Sequence, residues 1–136
     1  MVKPNIEADP RNLLNRAINL LSYRPRSVAE MRFRLGRICP DKTLVDRTIE
    51  RLLQDKLLDD LEFAKWWVDQ RLTFRPKGNR ALTAELSAKG VDRQIINLVL
   101  PSREQEKQLA GKLRDKYSLS QLQSRGFPID ALGQTA

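Results

Sequence analysis

The chain has 136 residues, of which 40% are hydrophobic and 31% are charged. This length suits a single domain or an array of small repeats, and the composition is typical of a globular rather than a disordered protein. The 25 Lys and Arg residues outnumber the 17 Asp and Glu residues, which gives a formal net charge of +8. Such an excess indicates an acidic partner: a nucleic acid, an acidic protein surface or an anionic lipid.

The absence of histidine excludes most familiar catalytic and metal sites. No Ser-His-Asp or Cys-His nucleophile, no imidazole base and no His-containing zinc site can be formed. Cys39 is the only cysteine, so an intrachain disulfide and a thiolate metal cage are excluded as well. Neither a P-loop nor a dinucleotide-binding glycine motif occurs. We therefore expect a protein without enzymatic activity, metal or cofactor.

The first seven residues lack the apolar core of a signal peptide. Apolar runs elsewhere in the chain are only a few residues long, too short for a membrane-spanning helix. A single cysteine also suits a reducing compartment. The sequence therefore predicts a soluble, cytoplasmic protein without membrane contact.

Apolar residues recur at helical spacing along the chain, and alternating strand patterns are hard to find, so the sequence predicts an all-α fold. Nine helices are predicted. The first covers residues 10–23 with Asp9 as N-cap, the second is opened by Ser27, the third covers residues 43–56, and the fourth is opened by Asp59. The fifth is capped by Asn79 and ends at Gly90, the sixth is opened by Asp92, the seventh by Ser102, the eighth runs from Ser118 to Gly126, and a short ninth begins at Pro128. The predicted core faces comprise Leu13, Leu14, Ala17, Ile18 and Leu21 in the first helix, and Leu44, Val45, Ile49, Leu52 and Leu53 in the third.

An internal repeat at an offset of 51 residues is visible around two Arg-Pro turns. Tyr23-Arg24-Pro25-Arg26 superposes on Phe74-Arg75-Pro76-Lys77, and apolar residues match over more than twenty positions in the same register. Residues 86–90 recur at 122–126, which indicates a third, partial copy. We therefore predict three tandem three-helix repeats at residues 10–58, 59–101 and 102–136, the third shortened, stacked into an elongated, curved array.

Basic residues cluster around both Arg-Pro turns. These candidate binding residues are Arg24, Arg26, Arg32, Arg34 and Arg37 in the first copy, and Arg71, Arg75, Lys77 and Arg80 in the second. Because the repeat places the turns at matching points, we expect a basic stripe that follows phosphates or acidic side chains. The alternative is that these are solvated faces of basic helices.

Other motifs have structural explanations. Residues 27–56 could form a DNA-reading helix-turn-helix, but the second helix presents Asp46, Arg47 and Glu50, which suit a major groove poorly. Aromatic residues Phe63, Trp66 and Trp67 could stack on bases, but their spacing favours a core, with Trp66 at its rim. Helix capping explains Asp59 and Asp60 better than metal binding. Cys39 occupies the position of Gly90 and is interpreted as a turn residue.

Four segments resemble the RecX regulatory proteins of bacteria. They are residues 17–35 around Tyr23-Arg24-Pro25-Arg26, residues 58–67 beginning with Leu58-Asp59-Asp60, residues 77–91 beginning with Lys77-Gly78, and Arg125-Gly126-Phe127. The resemblance extends over residues 13 to 132 and implies an all-helical protein of three tandem three-helix repeats. The third repeat lacks the long final helix that the resemblance leads us to expect, and the N-terminal extension is short.

The resemblance also implies a function. A RecX-like protein binds the RecA recombinase, lies along the groove of the RecA filament on DNA, and restrains strand exchange and ATP hydrolysis in recombination, DNA repair and the SOS response. We expect this chain to act as a monomer on the RecA filament and to contact single- or double-stranded DNA. The alternative function is that of a sequence-independent nucleic-acid-binding protein, which would affect recombination by competing for DNA.

Overall fold

The fold was analysed in a computed structural model, which describes residues 10–128. Within this range the protein is helical and contains no strand, which confirms the predicted all-α class. The helices are α1 (Pro10–Tyr23), α2 (Val28–Ile38), α3 (Lys42–Gln54), α4 (Asp60–Phe74), α5 (Asn79–Ala88), α6 (Arg93–Val99), α7 (Arg103–Leu113) and α8 (Leu119–Ser124). The predicted Asp9 cap and the ninth helix after Pro128 lie outside the described residues.

The chain divides into two compact units. Among the described residues, the first unit contains residues 10–63 and 89–91, and the second contains residues 64–88 and 92–128. The division falls inside α4, after Phe63. The predicted division into three repeats at residues 10–58, 59–101 and 102–136 remains a prediction.

The core of the first unit is formed where α1, α2 and α3 pack together. Leu13, Ala17, Met31, Leu35 and Ile49 are buried in it, as the helical spacing predicts. Burying such a cluster of aliphatic side chains is the main source of stability for a unit of this size.

Two residues predicted for this core are exposed, and the prediction was wrong for both. Ile18 is 43% exposed and Leu53 is 42% exposed. Each follows a fully buried residue, Ala17 or Leu52, and therefore points about 100° away from it around the helix. The buried stripe on α1 and α3 is narrower than the apolar pattern indicates.

Side-chain caps explain where several helices begin. Ser27, Ser102 and Ser118 each form a capping box, at three of the helix starts that the sequence predicts. The carboxylate of Asp41 accepts from the N–H groups of Thr43 and Leu44, so α3 begins one residue earlier than predicted. It ends at Gln54, short of the predicted end at residue 56.

Two predicted caps differ in the structure. Asn79 is the first residue of α5 rather than its cap, and its side-chain amide donates to the Pro101 carbonyl at 2.8 Å. Asp92 stands at the N-cap of α6 but makes no side-chain capping bond. Both residue types are common at N-caps, but neither side chain caps its helix here.

Distant carboxylates bind the first N–H of the second helix in both repeat copies. Asp60 accepts from the Val28 N–H at 2.8 Å, and Glu106 accepts from the Asn79 N–H at 2.6 Å. Val28 and Asn79 are 51 residues apart, which is the offset of the internal repeat. An acidic side chain at this position satisfies an otherwise unpaired donor and interacts favourably with the helix dipole.

The turns that follow α2 and α5 differ although they are in register. Gly90 adopts a φ of +78°, the left-handed conformation that its position predicts. Cys39, at the equivalent position, is buried in extended backbone at a φ of −126°. Cys39 therefore ends α2, as expected, but with a different turn from that of Gly90.

Candidate partner-binding site

Arg24 and Glu30 form the centre of the first Arg-Pro turn. The Arg24 guanidinium lies 2.5 Å from the Glu30 carboxylate and also donates to the Pro25 carbonyl at 2.7 Å. Glu30 further accepts from the Ser27 N–H at 3.1 Å and pairs with Lys89 at 3.3 Å. Arg24 is therefore held within the first unit by its neighbours and is less available to a partner than the sequence indicates.

The environment of this turn shifts two pKa values. Partial burial disfavours the charged form of Glu30, but the hydrogen bonds from Arg24 and Ser27 and the charges of Arg24 and Lys89 outweigh it, so the pKa of Glu30 is lowered. The pKa of Arg26 is lowered by burial and then by the neighbouring positive charge of Arg24. The Nε atom of Arg26 is buried without a hydrogen-bond partner.

Glu30→Gln is expected to lower the free energy of unfolding by about 1–3 kcal/mol at neutral pH, because it removes the negative charge that Arg24 and Lys89 face. A depressed pKa in the folded state contributes stability above the unfolded-state pKa, and this stability is lost as the pH falls through the folded-state pKa. The difference between the variant and the parent should therefore shrink on acidification.

Urea unfolding followed by circular dichroism between neutral and acidic pH measures this difference. Glu50→Gln is the matched control, since Glu50 is exposed on α3 in the same unit. A Glu30→Gln profile parallel to that of the parent protein at every pH would contradict the proposed linkage.

The remaining arginines of the first cluster differ in their surroundings. Arg32 forms an ion pair with Asp46 of α3. Arg37 lies over the ring of Phe33, with its guanidinium carbon 5.8 Å from the ring centroid. Arg34 is exposed and makes no hydrogen bond or ion pair within residues 10–128. Arg34 and Arg37 are therefore the exposed cations of this cluster that lack a carboxylate partner among the described residues.

The second cluster is similarly divided between paired and unpaired cations. Arg71 lies 3.1 Å from the Glu85 carboxylate and 4.8 Å from the ring centroid of Trp67. Arg80 donates to the Gln123 carbonyl at 2.9 Å. Arg75 is exposed and Lys77 is half-buried, and neither has a side-chain partner in the described part of the chain.

The aromatic residues of α4 form the core only in part. Phe63 is buried as predicted, whereas Trp66 and Trp67 are half-buried. The two Trp rings meet edge to face at 6.3 Å, and the Trp67 indole N–H donates to Glu85 at 3.1 Å. With the exposed ring of Phe74, they line a groove of about 240 Å³ in the second unit.

Arg125 was not singled out in the sequence as a charged candidate. Its guanidinium carbon lies 4.2 Å from the ring centroid of Tyr117, and an Nη atom lies 3.5 Å from the Pro76 carbonyl. Two sequence signals included it: its match to Lys89 in the third, partial copy, and its place beside Gly126 and Phe127 in a segment that carries the resemblance. Among the residues that the structure describes, no cluster of ligand side chains could hold a metal ion, and no helix could span a membrane.

Helical architecture, an internal duplication and basic turns together define an all-α protein of tandem three-helix domains. Two family models match it: "RecX, first three-helix domain" over residues 14–52 and "RecX, second three-helix domain" over residues 59–100. These ranges together include more than half of the chain. The chain therefore belongs to the RecX family, as the resemblance of its segments predicts.

Curated relatives are similar over part of their length. Regulatory protein RecX of Mycobacterium sp. (strain JLS) is 41% identical over 80 residues, which are 59% of this chain and 44% of that protein. Regulatory protein RecX of Mycobacterium ulcerans (strain Agy99) is 38% identical over 98 residues, 72% of this chain and 55% of that protein. The chain thus spans about half the length of these relatives.

Two crystal structures have the same fold. RecX from Lactobacillus salivarius superposes with a TM-score of 0.77 at 24% identity, covering 90% of this chain and 91% of that chain. A second structure of regulatory protein RecX superposes with a TM-score of 0.75 at 22% identity, covering 90% of this chain and 70% of that chain. At this level of identity the superpositions support the helical fold and not the individual site residues.

Proposed function

We propose that this chain is a non-enzymatic, cytoplasmic regulator that binds the RecA recombinase filament as a monomer and restrains ATP hydrolysis and strand exchange. Membership of a family of regulatory proteins supports the partner. The observation that supports the contact surface is the division of the basic clusters into cations with and without internal partners.

Four basic residues are therefore proposed to make the main contacts. Arg34 and Arg37 belong to the first unit, and Arg75 and Lys77 belong to the second. A cation without an internal carboxylate does not have to break an ion pair when it binds, so its full charge is available to phosphates or acidic side chains. Arg24, Arg32 and Arg71 would have to give up Glu30, Asp46 and Glu85, respectively.

The test is RecA-catalysed ATP hydrolysis on single-stranded DNA, with this protein titrated from substoichiometric to stoichiometric ratios. Its binding to the same DNA without RecA is measured in parallel over a range of salt concentrations. Inhibition at concentrations that leave bare DNA unbound supports the proposal. Inhibition that appears only as the bare DNA saturates would instead indicate a sequence-independent nucleic-acid-binding protein competing for DNA.

The double variant Arg75→Glu with Lys77→Glu should raise the concentration needed for half-maximal inhibition by about tenfold or more. Its stability should change little, because surface charges of this kind contribute little to folding. The matched control is Arg93→Glu with Lys112→Glu, which reverses two exposed charges in the same unit. Equal loss of inhibition in both double variants would show that net charge, rather than these turn residues, determines binding.

A further inference from the structure

A groove lies between the first and second helices of the first repeat copy, whereas the groove of the second copy is lined by residues of its first helix and by Arg75. The groove of the first copy has a volume of about 440 Å³. Helix α1 contributes Asn12, Asn15, Arg16 and Asn19 to its lining, and α2 contributes Arg34. Asn15, Arg16 and Asn19 lie 51 residues before Trp66, Trp67 and Gln70, which line the smaller groove of the second unit.

The two grooves differ in the side chains that line them. In the second unit the two Trp side chains line the groove, and Glu85 of α5 pairs with Arg71 and accepts from Trp67, two of the lining residues. The residue equivalent to Glu85 in the first unit is Arg34, so a basic residue stands where the second copy has this acidic partner. None of the residues that line the groove of the first unit is acidic.

The asparagines of this groove are unusual for the face of a helix. Asn12, Asn15 and Asn19 lie at i, i+3 and i+7 on α1 and form one polar stripe about 10 Å long. Asparagine is a poor helix former, because its amide competes with the backbone for hydrogen bonds. Asn15 and Asn19 are exposed, so core packing does not explain why they occupy this face.

The chemistry of the lining selects the class of ligand. Arg34 provides a guanidinium group, and guanidinium groups bind phosphate oxygens in pairs. An amide both donates and accepts, which matches the edge of a nucleobase, whereas a carboxylate only accepts. Leu20 and Ile38 are half-buried beside the polar stripe and offer apolar contact to a base.

We propose that the groove between α1 and α2 of the first unit binds one or two nucleotides of a single-stranded nucleic acid. Arg34 holds a phosphate, and Asn15 and Asn19 contact the unpaired base edges. A single strand is required because the Watson–Crick edges of the bases are hydrogen-bonded to each other in a duplex. The inference extends the proposed function, because it assigns the contact with nucleic acid to one groove. Its test contains no recombinase.

Fluorescence anisotropy of a labelled mixed-sequence DNA 10-mer measures binding by the full chain. Arg34→Gln should weaken binding by about tenfold and reduce the slope of log affinity against log salt by about 0.7, the loss of one phosphate contact on a single strand. Asn15→Ala with Asn19→Ala should also weaken binding but leave the slope unchanged. Arg47→Gln is the control, since Arg47 is exposed on α3 of the same unit.

Side-chain amide resonances locate the ligand independently of affinity. Titration of the 10-mer should shift the NH₂ signals of Asn15 and Asn19 in a ¹⁵N–¹H spectrum, while circular dichroism shows that the variants keep their helices. Absence of binding by the parent protein would overturn the proposal, as would equal weakening by Arg47→Gln. Displacement of the 10-mer by a poly-glutamate peptide at matched charge would overturn it in favour of an acidic protein ligand. A failure of RecA inhibition would leave this result unaffected.

Discussion

Gly78→Ala is expected to lower the free energy of unfolding of the second unit by about 3 kcal/mol or more. A Cβ at position 78 would lie 2.3 Å from the backbone C and O atoms of Gly126 and 2.4 Å from the backbone N of Phe127. These are main-chain atoms, which cannot rotate away as a side chain would. The Gly78 N–H also donates to the Arg125 carbonyl at 2.8 Å, so moving the two segments apart would break this bond as well.

Thermal and urea unfolding followed by circular dichroism measure this loss. Gly36→Ala is the control, because a Cβ at position 36 meets nothing within 4 Å. Gly36 lies inside α2, where Ala is the better helix former, so this variant should gain up to about 1 kcal/mol. If both variants were equally stable, the close approach of residue 78 to the 125–127 turn would be wrong.

Local signals explain why most of the helices could be predicted from sequence. Three serine capping boxes and two left-handed glycines involve residues that are close in the chain, and their residue types are specific for those positions. The failure at Asn79 follows from the same reasoning. A residue type that suits a cap is used instead for a bond to Pro101, 22 residues away.

Partners of the basic residues could not be predicted, because they come from other helices. Arg32 pairs with Asp46 across 14 residues, and Arg71 pairs with Glu85 over the same separation. A charge cluster in the sequence shows which cations are close together but not which carboxylates the fold brings to them. Arg34 differs from Arg24 and Arg32 because no carboxylate of the described residues pairs with it, and it lines the groove of the first unit.

The difference between the two grooves could not be predicted from the residue types alone. Trp66 and Trp67 attract attention as aromatic residues, whereas Asn15 and Arg16 at the equivalent positions resemble ordinary surface residues. Only the structure shows that both pairs line grooves. The repeat register was visible in the sequence. A comparison of the polar residues at equivalent positions of the two copies would have shown that Arg34 in the first copy corresponds to Glu85 in the second.

Phe127→Ala should lower the free energy of unfolding of the second unit by about 3–5 kcal/mol. The ring is fully buried in a cluster with Ala110 and Leu122, and its removal would leave a cavity that the surrounding side chains fill only in part. Because Phe127 and α4 from Ala64 onward belong to the same compact unit, the loss should reach Trp66 and Trp67.

Tryptophan fluorescence provides the decisive measurement, because both indoles of the chain lie in the second unit and far from residue 127 in sequence. The fluorescence midpoint should fall together with the helical signal of the unit; an unchanged fluorescence transition would show that residues 102–128 unfold separately. The double variant with Gly78→Ala should lose less stability than the two single losses combined, because both substitutions disrupt the same contact between the start of α5 and the 125–127 turn. Strict additivity would mean that the ring and the glycine stabilise the unit independently.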